Sequence, residues 1–167
     1  HGVRDLVYTS TPSVVYHGGS FEGADESQPR GTDFPACYPR TKAAAEHLAL
    51  DAHDEATLRV CALRPHLIWG VGDPHILPRV VTRARAGRLR IVGDGTNKVD
   101  LTHVDNAARA HLLALDALRA NRAGGKAYFL SDGGPVQLWP WINDLLQRVG
   151  VPPITKKVPL KKAYAAG

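Results

Sequence analysis

Apolar and polar positions change their period several times along the 167 residues. Short continuous apolar runs mark buried strands, and three-to-four spacing marks helices. Leu6 to Ser10 (LVYTS) is apolar, β-branched and aromatic, and reads as a buried strand. A Gly- and acid-rich loop runs from His17 to Pro35. Tyr38 to about Ala52 reads as a helix, with Ala43, Ala44, Ala45, Leu48 and Leu50 and with Pro39 tolerated near its start. Leu58 to Leu63 is a second strand, closed by Arg64-Pro65. Ile76 to Ala86 is a helix stopped by Gly87, and Leu89 to Val92 is a short strand ending in the turn Gly93-Asp94-Gly95. Thr102-His103-Val104-Asp105 resembles a capping box, with Asp standing in for Glu, and opens a helix to about Arg119. Val104, Ala108, His111, Leu115 and Leu118 fall on one face of it, so His111 is expected to be a hydrogen-bonded core histidine. Lys126 to Ser131 reads as a strand and Leu138 to Val149 as a helix closed by Gly150.

Strands alternating with helices in this rhythm predict an α/β fold with a largely parallel sheet. The length suits about one domain. Hydrophobic residues at 44% and charged residues at 22% exclude a disordered chain. No apolar run approaches the roughly 18 residues that span a bilayer, so no membrane span is expected. The opening His1-Gly2-Val3-Arg4-Asp5 lacks the pattern of a signal peptide. Cys37 and Cys61 have no metal-type spacing, which predicts reduced thiols, a cytoplasmic protein and no metal site. Methionine is absent throughout, and this predicts a segment of a longer chain.

The net charge of +5 raises nucleic acid as a partner. The basic residues argue otherwise. One group is Arg79, Arg83, Arg85, Arg88 and Arg90, the other Lys156, Lys157, Lys161 and Lys162, and no aromatics interleave with the arginines to stack bases. Solvated helix faces or an anionic small ligand account for them instead.

A dinucleotide-binding sheet should carry a glycine-rich turn between a strand and a helix. Gly70-Val71-Gly72 and Gly93-Asp94-Gly95 have neither that setting nor a suitably placed acidic residue, and both read as simple turns. The chemical signal lies in Tyr38-Pro39-Arg40-Thr41-Lys42. Four residues apart on a helix, the Tyr38 phenol and the Lys42 ammonium can share a pocket. A free phenol, with a pKa of about 10, is a poor base near neutrality, and a nearby cation favours its phenolate. Such a tyrosine can exchange a proton with an alcohol or carbonyl oxygen.

Three further stretches stand in order around it: Thr9 to Val15 (TSTPSVV) at a strand end, Leu63 to Asp73 (LRPHLIWGVGD), and Asp100 to His111 (DLTHVDNAARAH). With YPRTK they make the chain resemble the extended short-chain dehydrogenase/reductases. Within these it is most similar to the 3β-hydroxysteroid dehydrogenase/isomerase-like group, which includes sterol 4-carboxylate 3-dehydrogenases and bacterial 2-alkyl-3-oxoalkanoate reductases.

The resemblance covers nearly the whole chain. It implies the C-terminal part of a Rossmann-type doubly wound parallel sheet, with smaller substrate-lobe elements at about 69–100 and 132–167. The first Rossmann half, with its glycine-rich loop, would precede residue 1. The resemblance also implies an NAD- or NADP-dependent oxidoreductase that interconverts a secondary alcohol and a ketone on a hydrophobic substrate, as a homodimer. Tyr38 would be the acid/base, and Lys42 would tune it and bind the nicotinamide ribose. The family's serine falls on Thr11, with Ser10 and Ser13 as alternatives. Pro65, His66 and Leu67 would pass the nicotinamide, whereas Arg64 is expected to form an ion pair internal to the fold. A nucleotide-sugar epimerase or dehydratase and a non-catalytic Rossmann-like binding module remain the alternative functions.

Overall fold

The computed structural model describes residues 2–34 and 36–165. The chain order begins with β1 (Asp5–Thr9), a 3-10 turn (Pro12–Val15), α1 (Cys37–Asp51), β2 (Arg59–Pro65), β3 (Leu67–Trp69) and α2 (Ile76–Arg85). Then come β4 (Ile91–Val92), β5 (Lys98–Val99), β6 (Leu101–His103), α3 (Val104–Arg119) and β7 (Ala127–Leu130). It closes with β8 (Val136–Gln137), α4 (Leu138–Arg148), β9 (Lys157–Val158) and α5 (Leu160–Ala165). The loop expected to end at Pro35 has its last residue outside the described ones.

Contacts divide the chain into two units, residues 1–68 with 102–132 and residues 69–101 with 133–167. The first is built on β2, buried at every position after Arg59 because it lies between β1 and β7 in a parallel sheet. Alternate residues of β2 serve opposite faces. Cys61 and Leu63 pack with Ala114, Leu118 and Ala123 under α3, while Arg64 reaches Glu46 of α1. Helices therefore cover both faces, as a doubly wound sheet requires. The fold is α/β of the Rossmann type.

Three expectations change in this unit. First, β2 continues through Arg64 and Pro65, which pairs with Leu130. The ladder with β1 has ended at Thr9–Leu63, so the missing proline N–H removes no rung there. Second, Thr102 does not cap α3. It is buried, and its hydroxyl donates to the Leu130 carbonyl at 2.8 Å. His103 caps instead, its Nδ1 accepting from the Asp105 amide at 3.3 Å. Third, Ala107, Ala114 and Leu118 are the buried residues of α3, while Ala108 is exposed and Leu112 and Leu113 face solvent. Leu118 of the expected stripe is thus buried, Val104, His111 and Leu115 are half-buried, and the small Ala107 and Ala114 let the helix approach the sheet closely.

The second unit packs Ile91, Trp139, Ile142, Leu146 and Val151 together, with Val80, Val81 and Ala84 of α2 against them. β4 pairs with β9 in parallel, and β5 pairs with β8 antiparallel. Both glycine pairs are turns, as expected. Gly95 has φ +82°, and a Cβ there would lie 2.7 Å from Ile91 Cγ2, inside the core. The Gly95→Ala variant should therefore lose about 1–3 kcal/mol of stability, the cost of a strained backbone position. Gly134→Ala, where nothing lies within 4 Å, is the neutral control. Urea unfolding of the two variants measures the difference.

Candidate active site

In a parallel sheet every strand ends at the same edge, and ligands of open α/β sheets bind there. β1 ends at Thr9 and leads into Ser10, Thr11 and the 3-10 turn. The helix that returns from this edge starts at Cys37, which puts Tyr38 and Lys42 in its first two turns. The next strand ends at Pro65, followed by His66 and Leu67. The parallel connectivity thus brings Thr11, Tyr38, Lys42, Pro65, His66 and Leu67 to one edge of the first unit.

Tyr38, Lys42 and Glu46 follow at four-residue spacing and share one face of α1. Exposure falls steeply along that face. Tyr38 is 61% exposed, Lys42 is half-buried and Glu46 is 1% exposed. At the buried end Arg64 grips Glu46 with two hydrogen bonds, Nε to Oε2 at 2.9 Å and Nη2 to Oε1 at 2.6 Å. This is the internal ion pair expected of Arg64. Its guanidinium also lies 5.4 Å from the Phe129 ring centroid. Burial alone would raise the Glu46 carboxyl, but hydrogen bonds from Arg64 and Ser10, with the charges of Arg64 and Arg30, hold it below the ordinary carboxylate range.

Lys42 turns toward the end of β1. Its ammonium donates to the Thr9 carbonyl and lies 4.5 Å from the centroid of the Tyr8 ring. The Thr9 hydroxyl meets His111 Nε2 at 2.7 Å, and His111 Nδ1 meets the Ala107 carbonyl at 2.7 Å. His111 is hydrogen-bonded as expected, although only half-buried.

Among the three hydroxyl candidates, the Ser10 side chain is buried, and its hydroxyl faces the Glu46 carboxyl that it helps hold low. Thr11 and Ser13 are half-buried, with their oxygens 3.1 Å apart. Thr11 also caps the 3-10 turn by accepting from the Ser13 amide at 3.4 Å. The His66 amide donates to the Leu130 carbonyl at 3.0 Å, and its ring sits 5.6 Å from Phe129. Both cysteines are free thiols. Burial pushes the Cys61 thiol up to about 11, whereas Cys37 is exposed beside Tyr38. No group of His, Cys, Asp or Glu among the described residues could hold a metal. Likewise, no described helix is long and apolar enough to cross a membrane.

Glu46, Thr9 and Asp73 were not singled out in the sequence. Glu46 sits one helical step beyond Lys42, which was the available signal for it. Asp73 ends the LRPHLIWGVGD stretch and accepts from the amides of His75, Ile76 and Leu77 at 2.7–3.0 Å, so it caps α2.

A parallel sheet covered on both faces, with a Tyr-x-x-x-Lys helix opening at its carboxyl edge, defines a Rossmann-type protein of the epimerase/dehydratase superfamily. Residues 1–161 match the 3-beta hydroxysteroid dehydrogenase/isomerase family, and the chain belongs to it. It is 53% identical over 171 residues to the 2-alkyl-3-oxoalkanoate reductase of Stenotrophomonas maltophilia (strain K279a), covering all of this chain and 51% of that protein. It is 40% identical over 166 residues to the 3beta-hydroxysteroid-dehydrogenase/decarboxylase isoform 1 of Arabidopsis thaliana, covering 95% of this chain and 38% of the relative. The chain thus spans about half or less of the length of these curated relatives. The structure of MoeE5 in complex with UDP-glucuronic acid and NAD is 31% identical, with a TM-score of 0.72 over 95% of this chain and 52% of that one.

Replacing a single partner strands the other charge, which typically costs about 3–5 kcal/mol in a buried pair. Glu46→Gln should lose about that much stability at pH 7. A carboxyl held low in the folded state stabilises above its unfolded pKa of about 4.3, and this contribution is lost as pH falls through the folded value. The gap between wild type and Glu46→Gln should therefore narrow on acidification below about pH 4. Urea midpoints at the two pH values check this.

Proposed function

We propose that the protein carrying this chain is an NAD- or NADP-dependent oxidoreductase interconverting a secondary alcohol and a ketone on a hydrophobic substrate, a 3β-hydroxysteroid or a β-hydroxy/β-keto acid. The observation that carries this reading is the exposed Tyr38 phenol one helical step from Lys42, on the helix that opens at the carboxyl edge. Kinship with the reductase and the dehydrogenase/decarboxylase supports it.

The donor set suits the riboside half of a nicotinamide dinucleotide. Lys42 offers an ammonium to ribose hydroxyls, and Pro65, His66 and Leu67 would line the nicotinamide. A nicotinamide held there would supply hydride transfer to or from the substrate carbon. Tyr38 takes the alcohol proton in the oxidising direction and returns it to the ketone oxygen in the other. Thr11 donates a hydrogen bond to that same oxygen, and Lys42 supplies positive charge one helical step from the phenolate. The second unit, residues 69–101 and 133–167, is read as the smaller substrate lobe.

A second reading has one observation in its favour. Arg79, Arg83 and Arg88, with Pro78 and Thr82, line a concavity of about 650 Å³, and none of these arginines has a carboxylate partner among the described residues. Such a cluster suits a diphosphate, and with it a nucleotide-sugar epimerase or dehydratase. Turnover on a hydrophobic β-keto acid or sterol compared with a UDP-sugar separates the two.

In the complete protein Tyr38→Phe should lower turnover about 10²-fold or more, since positioned proton transfer contributes roughly 10²–10⁴. Thr11→Val should lose more than Thr11→Ser. Cofactor binding without turnover, in the wild type as in Tyr38→Phe, would instead favour a non-catalytic binding module. The same reading makes the complete protein a homodimer through α1, whose Ala44 and Leu48 are both exposed, Leu48 by 72%. Light scattering of Leu48→Lys should then report a smaller species than the wild type.

A further inference from the structure

Thr9, the last residue of β1, is held from both sides of the sheet. From the α1 side Lys42 donates to its carbonyl, and from the α3 side His111 meets its hydroxyl. The roles follow from the chemistry of the partners. The Ala107 carbonyl can only accept, so His111 Nδ1 carries the proton there. In the neutral ring Nε2 is then a bare acceptor, and the Thr9 hydroxyl must donate to it. This fixes the Thr9 rotamer. The far end of the brace is rigid as well, because Ala107 is a buried residue of α3.

From this geometry we infer that His111 is a positioning residue, acting through Thr9 to place the carbonyl on which the Lys42 ammonium rests. The inference builds on the function proposed for Tyr38 and Lys42. Lys42 has a long flexible stem, and its charge is anchored by the hydrogen bond to the Thr9 carbonyl. A shift of that carbonyl moves the ammonium. Displacements of about 1 Å at a reacting centre can cost on the order of 10²-fold in rate. The brace requires an acceptor nitrogen at Nε2 and a hydroxyl at residue 9. Phenylalanine at 111 keeps the ring and removes the acceptor, while valine at 9 keeps the shape and removes the donor.

The test is a double-mutant analysis of the complete protein, with steady-state kinetics in the cofactor and thermal unfolding measured in parallel. His111→Phe should reduce kcat/KM for the cofactor on the order of 10- to 100-fold. Thr9→Val should reproduce that loss, the two together should lose no more than one alone, and Thr9→Ser should recover most of it. In a Lys42→Ala background His111→Phe should cost nothing further in kcat/KM while its effect on unfolding persists. Equal fold losses with and without Lys42 would make His111 a merely structural residue and overturn the inference. So would full activity in His111→Phe. Unchanged kinetics in Tyr38→Phe and Lys42→Ala would be a separate result, sinking the functional reading itself.

Discussion

The buried pair between Arg64 and Glu46 is the constraint on which the arrangement of the first unit depends. Taking two charges out of water is expensive, and their attraction repays the cost only when the hydrogen bonds are well formed. Here they are, with two bonds of 2.6 and 2.9 Å. One guanidinium nitrogen, Nη1, is nevertheless buried without a hydrogen-bond partner among the described residues, so the pair is not an optimised source of stability. What it imposes is position. α1 can satisfy Glu46 only with that residue over Arg64 of the central strand, and this fixes the rotation of the helix. Glu46 pointing inward sets Lys42 half-way out and Tyr38 in solvent.

The same alternation organises the opposite face. Leu63 and Cys61 neighbour Arg64 and point the other way, into the apolar layer under α3. The sheet is thus pinned electrostatically to one helix and by close alanine packing to the other. β1 pairs along one side only among the described residues, and its last residue receives side chains from both layers. Polar groups from three elements therefore converge at the edge where the strands end. Charge is distributed differently in the second unit. It holds eleven Lys and Arg against four Asp and Glu, whereas the first holds ten against twelve, so the excess positive charge lies wholly in the second.

Much of the fold was legible because strong local signals agreed with the tertiary outcome. The continuous apolar run of β2, the Gly93-Asp94-Gly95 turn and the long alanine-rich helix after Tyr38 are cases of this. Two-residue strands such as Lys98–Val99 and Val136–Gln137 carry no readable period and exist through their pairing. Of the stripe expected on α3, Leu118 is buried and Val104, His111 and Leu115 are half-buried, whereas Ala108 turns outward because close packing selects Ala107 and Ala114 instead. Thr102 had the residue type and spacing of a cap, but the end of β6 already buries it. At the site, the linear order of Tyr38 and Lys42 was visible in the sequence. Glu46 looked like an ordinary charged helix position, because its partner is 18 residues away across the sheet. Ser10, Thr11 and Ser13 are chemically alike in sequence, and burial is what sets Ser10 apart.

The central claim is that the Arg64–Glu46 pair positions α1, and with it Tyr38 and Lys42, rather than merely adding stability. Amide hydrogen exchange resolved along the chain tests it most directly, because local opening is read element by element. In Glu46→Gln, protection should fall across residues 37–51 while the β2–β7 amides keep theirs. In the apolar pair Arg64→Met with Glu46→Leu, protection of the sheet should persist, yet α1 should still exchange faster than in the wild type. Wild-type protection of α1 in both variants would contradict the account, as would a uniform loss across the whole unit.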